Sequence, residues 1–235
     1  MKRLFLVVVC ILLLTGPTWA VTYDLYTDWS NTANPNGPWA YWEGTTLLPH
    51  QSGSPDLPGN FFAPGPASPN FLPAWLKVTD VTIFTPNLNG IGIYTHSYDP
   101  GNGGDYHGES KLTWTSQSPG IISISGMLWY GFPKTITRSN DFSLYLGGTL
   151  LDTGTVSYLN YVDKDHARLL SNTGLTVNAG DVVSLVIKRT SEEVSGTFTA
   201  MSFTITESAV PLPGAVLLLG SGFLRLACYM RRKKS

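Results

Sequence analysis

Residues 121–130, IISISGMLWY, put Ile122, Ile124 and Leu128 on alternate positions with Gly126 between them. A two-residue apolar period is that of a strand with one buried face, whereas a helix would repeat every 3.6 residues. The alternation returns in Phe142, Leu144 and Leu146, and again in Met201, Phe203 and Ile205. Working outward, strand-type residues fill 21–29, 75–84, 91–96, 110–115, 141–146, 167–170, 182–189 and 197–206, and Gly, Pro, Asn or Asp occupies many of the gaps. No window outside the two termini sustains a helical period. About ten short strands separated by turn signals predict an all-β chain, a single antiparallel β-sandwich of jelly-roll type.

Between the first strand and the regular series lie two irregular stretches. Residues 31–44, NTANPNGPWAYWEG, carry Asn-Pro and Asn-Gly turn signals beside Trp39, Tyr41 and Trp42. Residues 48–73 hold many of the prolines together with Gly, Ser and Asn, which predicts a long ordered loop with short extended pieces and no helix. Near the other end, Asn178-Ala179-Gly180-Asp181 is a turn that delivers the chain into the strand VVSLVIKR.

The termini follow different rules. Lys2 and Arg3 precede an apolar run over residues 4–14, and Thr18 and Ala20 are small residues before a cut after Ala20, the order of a secretory signal peptide over residues 1–20. At the far end, Pro211 and Pro213 break the chain away from the domain. Residues 215–230 are then apolar apart from Ser221 and Arg225, about 24 Å of helix at 1.5 Å per residue. That is short for a bilayer core of about 30 Å, and Arg225 must snorkel toward the basic cluster Arg231, Arg232, Lys233 and Lys234. Four consecutive cations hold this end on the cytoplasmic side.

The exported domain, residues 21–208, contains neither Cys10 nor Cys228, so it has no disulfide and no thiol chemistry. It carries 8 basic and 16 acidic side chains, a net charge of −8 concealed by the near-neutral total. An acidic domain without a basic stripe has nothing to neutralise phosphates, which argues against nucleic acid as a partner.

The tail, residues 209–235, resembles the PEP-CTERM sorting signal of Gram-negative bacteria that make exopolysaccharide. The resemblance lies in Val210, Pro211, Leu212 and Pro213, then the Leu-Gly-Ser-Gly of residues 219–222, then Arg231 to Lys234. Leu212 stands where that family most often has Glu, and Arg225 where it has a small or apolar residue. The resemblance implies recognition by an exosortase, a membrane cysteine transpeptidase, during passage through the inner membrane, and placement at the cell surface or in the matrix. An unprocessed single-pass tail anchor is the alternative. Residues 34–41, Asn-Pro-Asn-Gly-Pro-Trp-Ala-Tyr, together with 107–126 and 175–186, resemble secreted bacterial β-sandwich proteins that often carry this signal, which implies the fold and no particular activity.

Six tryptophans belong to the domain: Trp29, Trp39, Trp42, Trp75, Trp114 and Trp129. Aromatic faces stack on the C–H faces of sugars, but they also fill sandwich cores. Trp114 and Trp129, inside strands, read as core, whereas Trp39, Tyr41 and Trp42, in a Gly/Pro/Asn stretch, are the candidate glycan-binding set. Asp99, Asn102 and Asp105 gather on a Gly-rich loop with the oxygen chemistry calcium prefers, though an ordinary hairpin loop is the better account of them and no EF-hand spacing is present. No other cofactor is indicated. His50, His96, His107 and His166 are dispersed, and no GxSxG elbow or phosphate-binding loop occurs. Glu192-Glu193 is an adjacent pair that diverges in a strand or loop and makes a poor acid/base couple. The sequence therefore reads as a non-catalytic envelope or exopolysaccharide-matrix protein. A carbohydrate-binding module is the alternative, and a jelly-roll hydrolase the third and weakest.

Overall fold

The computed structural model describes residues 20–53, 57, 59–66, 72–84, 87–97, 109–191 and 195–209. The signal-peptide segment, the sorting motif with its apolar run and basic cluster, the Asp99, Asn102 and Asp105 loop, His107 and Glu192-Glu193 lie outside these residues. No helix among the described residues is long and apolar enough to cross a membrane. Val21–Glu207 forms one compact unit, and a second grouping, Met1–Ala20 with Ser208–Ser235, falls almost wholly outside the described residues.

The strands are β1 Ala20–Asp24, β2 Trp39–Glu43, β3 Thr46–Leu47, β4 His50–Ser52, β5 Asn60–Phe62, β6 Ala74–Val78, β7 Gly92–His96, β8 Ser110–Thr115, β9 Gly120–Tyr130, β10 Ser139–Leu146, β11 Thr149–Ser157, β12 Arg168–Val177, β13 Val182–Arg189 and β14 Phe198–Ala209. They form two antiparallel sheets. The eight-stranded sheet runs β12-β9-β14-β7-β6-β5-β4 with β1 also on β14, and the six-stranded sheet runs β11-β10-β13-β8-β2-β3.

Several strands depart from their sequence patterns for local reasons. The first ends at Asp24, whose carboxylate accepts the Thr27 amide at 2.8 Å and whose carbonyl accepts the Asp28 amide at 2.8 Å, closing a turn where the pattern predicts extension to Trp29. The run over 75–84 stops at Val78 because Asp80 caps a short 3₁₀ turn, its carboxylate accepting the Thr82 amide at 2.9 Å. That amide bond, with the Thr82 hydroxyl, holds the Asp80 carboxyl below its usual range. The stretch over 48–73 does contain short extended pieces: β4 and β5 lie in it, and they extend the eight-stranded sheet. β2 begins at Trp39, so the aromatics following the Asn-Pro-Asn-Gly turn sit in a strand.

Alternation then sorts side chains to two cores. Inward residues of both sheets, among them Trp39, Tyr41, Phe62, Trp75, Trp114, Ile122, Phe142, Leu185 and Phe203, close the main core between them. Each such side chain, taken fully out of water, contributes roughly 1.5–3 kcal/mol. The opposite faces of β5, β6, β7, the end of β9 and the start of β14 hold a second core. There Phe61, Leu76, Tyr94, Trp129 and Phe198 pack with Leu57, Leu72, Phe84 and Leu88 from the intervening segments.

Candidate functional site

The Asn-Pro-Asn-Gly stretch is a structural clamp. Asn34 Nδ2 donates to the carbonyls of Tyr41 and Leu48, both at 2.8 Å, and its Oδ1 accepts the Tyr41 amide at 2.9 Å. Asn36 Nδ2 donates to the Asp28 carbonyl at 2.6 Å, and Gly37 turns the chain with φ +56°. The strand that follows sends Trp39 and Tyr41 inward and Trp42 outward. Trp39 and Tyr41 are both 0% exposed, Trp39 Nε1 donates to Asp28 Oδ2 at 3.1 Å, and Tyr41 stacks on Phe62 with ring centroids 5.2 Å apart. These two residues are therefore core, not a glycan platform, because they occupy the inward parity of β2. Burial also pushes the Tyr41 hydroxyl far above the ordinary tyrosine range, with the charge of Asp28 adding to it.

Trp42 is the member of the predicted set that faces outward, half-buried on the six-stranded sheet. Its Nε1 donates to Thr113 Oγ1 at 2.8 Å, and that hydroxyl lies 3.5 Å from the Ala40 carbonyl that accepts from it. The indole is thereby pinned toward β8. Strand registers define what surrounds it. One outward row reads Thr153, Ser143, Val186, Lys111, Trp42 and Leu47. The next reads Leu150, Tyr145, Ser184, Thr113 and Ala40, so the tip of the indole reaches into the row that carries Tyr145.

Lys111 Nζ lies 5.7 Å from the centroid of the Trp42 ring. Further along, Asp141 stands opposite Lys188 and accepts from Thr155 Oγ1 at 2.6 Å. The face thus combines two outward aromatic rings on β2 and β10 with hydroxyls, two lysines and one carboxylate. Three inter-strand steps of about 4.8 Å separate those strands by about 14 Å, longer than a single sugar ring. Such an arrangement can stack on apolar C–H faces and hydrogen-bond hydroxyls between the stacks.

Tyr145, Lys111 and Ser184 were not singled out by the sequence. Their proximity to Trp42 depends on the strand order β10-β13-β8-β2, which no local pattern encodes. The other open face offers less. On β12, β9 and β14 a shallow hollow of about 270 Å³ is lined by Ser125, Met127, Leu169, Ser171, Ser202 and Thr204, with no aromatic ring and no charge. No group of three His, Cys, Asp or Glu side chains able to hold a metal occurs among the described residues.

No family model and no curated protein matches the chain. Among solved structures, most of the similar ones are carbohydrate-binding modules. The K1 cleaved adhesin domain of Lys-gingipain from Porphyromonas gingivalis W83 is 10% identical over 82% of this chain and 99% of its own, with a TM-score of 0.41. CsCBM6-3 from Clostridium stercorarium, solved with cellobiose, is 17% identical over 58% of this chain and 93% of its own, TM-score 0.27. The CBM51-2 and INT domains of Clostridium perfringens ZmpB, solved with GlcNAc, are 15% identical over 50% of this chain; the match spans 22% of that chain, TM-score 0.33. These are distant likenesses that carry no activity over to this protein.

Proposed function

We propose that the protein is a non-catalytic carbohydrate-binding β-sandwich, exported and presented at the cell envelope or in the exopolysaccharide layer. The observation that carries this reading is the outward face of the six-stranded sheet. There Trp42, fixed by its bond to Thr113, shares a surface with Tyr145, Ser143, Ser184 and Lys111. An indole held against a sheet presents its ring with little rotamer entropy left to lose on binding, which is what a stacking platform requires. Export and placement rest on the signal-peptide order of residues 1–20 and on the PEP-CTERM resemblance of residues 209–235, with an exosortase-type enzyme as the processing partner.

Affinity electrophoresis against a panel of soluble polysaccharides tests the binding function. Retardation of the wild-type protein by at least one polymer is expected. Trp42→Ala should weaken it by about 30-fold, the loss of about 2 kcal/mol typical of a central aromatic anchor. Retardation equal in wild type and Trp42→Ala would remove this face as the site. Placement is tested by the intact mass of the protein from envelope and medium, with and without the candidate exosortase. Loss of the segment after about residue 210 only in its presence supports the sorting reading, and a retained Arg231–Ser235 end under both conditions overturns it.

A further inference from the structure

We infer that the carbohydrate taken by this face is acidic, a hexuronate-containing polysaccharide, with Lys111 as the specificity-determining residue. The inference rests on the carbohydrate-binding reading above and goes to the class of sugar. Lys111 projects from β8 between Trp42 on β2 and Val186 on β13, so its two cross-strand neighbours are an indole and an aliphatic side chain. It is half-buried, and among the described residues it enters no ion pair; its close companion is the Trp42 ring, 5.7 Å away.

The other charges near this face among the described residues are accounted for differently. Lys188 stands opposite Asp141 in register, and Asp141 is also bonded by Thr155. Glu109 precedes Lys111 by two residues and is exposed. Lys111 is thus a partly desolvated cation beside a stacking ring, in a domain where carboxylates outnumber cations 16 to 8. A cation in that position recovers a charge-assisted hydrogen bond when a carboxylate arrives. A hexuronate seated on Trp42 brings a carboxylate at the edge of its ring, next to Lys111, whereas a neutral hexose brings only a hydroxymethyl group. The negative balance of the domain repels a polyanion at long range, so preference must arise at contact. It is best read near 0.15 M salt, where screening acts over about 8 Å.

The experiment compares binding of the full-length protein to polygalacturonate, to polymannuronate, and to polygalacturonate whose carboxyls are fully methyl-esterified, with cellohexaose as a neutral probe. At least one polyuronate should bind about tenfold more tightly than the ester, the scale of one charge-assisted hydrogen bond. Lys111→Gln should abolish that difference and Lys111→Arg should keep it, with thermal melts showing both variants folded. Equal binding of acid and ester, or a preference that survives Lys111→Gln, overturns the inference and leaves the carbohydrate reading standing. Binding to cellohexaose alone does the same. Failure of every probe, with no retardation across the wider panel, overturns both.

Discussion

The two sheets treat their outward faces in opposite ways. On the eight-stranded sheet, the outward side of β5, β6 and β7 is as apolar as the inward side, with Phe61, Leu76 and Tyr94 set against Phe62, Trp75 and Ile93. Intervening segments cover it. On the six-stranded sheet, the outward side alternates to Ser143, Ser184, Thr113 and Lys111, and Trp42 and Tyr145 stay half-exposed there with no second apolar core over them among the described residues. A strand that is apolar on both sides implies a covering layer. A strand that is polar outside, with an isolated aromatic, leaves that ring available to a ligand.

The sharpest way to break this contrast is to treat both faces alike. Trp129 belongs to the covered face, is 0% exposed, and donates from Nε1 to the Asn89 carbonyl. Trp129→Ala should cost about 3–5 kcal/mol in chemical denaturation, as for a large core aromatic. A loss below about 1.5 kcal/mol would mean that the segments over it are a loose cover and not a second core.

The clamp below β2 comes next. Asn34→Ala orphans the Tyr41 amide and the Leu48 carbonyl, whereas the Tyr41 carbonyl keeps the Leu48 amide at 3.0 Å. Two unsatisfied buried groups predict a loss of about 2–4 kcal/mol with the fold retained. Asn34→Asp keeps the acceptor for the Tyr41 amide but sets a carboxylate oxygen against the Tyr41 and Leu48 carbonyls, so it should lose at least as much. A smaller loss would show that the acceptor, and not the amide donor, carries the clamp.

What the sequence made legible follows the same division. β8, β9, β10, β13 and β14 lie in the middle of the sheets, so their alternation is strong and their predicted spans nearly match. β11 was missed. It is an edge strand, TLLDTGTVS, whose Gly154 sits against Phe142 so closely that a Cβ would lie 2.9 Å from the ring, and it has little apolar alternation to show. The predicted span at β12 stops at Leu170 because the second half of the strand is polar and bulged at Gly174, with φ +71°. The second core was hidden because its covering segments lie in a Pro/Gly-rich run with no period. In the candidate site, Trp42 was visible, but its parity was not: whether residue 39 or 42 faces out depends on where β2 begins, and Asn34 and Asn36 set that point.

Trp42→Ala carries a smaller expected loss of stability than either change above, about 1 kcal/mol, because the ring is already half in water and Thr113 keeps the Ala40 carbonyl. Thermal melts should show it near wild type while binding falls. A loss as large as that of Trp129→Ala would mean that Trp42 is a structural residue and that the open face is no platform.

The finest comparison sets two tyrosines, one in each core. Tyr94 donates to the Gly90 carbonyl at 2.6 Å, whereas the Tyr41 hydroxyl is buried with no partner among the described residues. Tyr94→Phe should therefore cost about 1 kcal/mol, and Tyr41→Phe should be neutral or stabilising, since it removes an unsatisfied group. Both hydroxyls are raised above the ordinary range, chiefly by burial. A raised folded pKa of this kind means the folded state holds its proton more tightly. Its contribution is complete below about pH 10, where unfolded tyrosine titrates, and is lost as the pH rises beyond it, at up to about 1.4 kcal/mol per pH unit per residue. Denaturant midpoints measured from pH 9 to 11.5 should fall in the wild type, and each Phe variant should flatten the fall. A profile unchanged by Tyr41→Phe would place that hydroxyl within reach of water and so contradict its position in the main core.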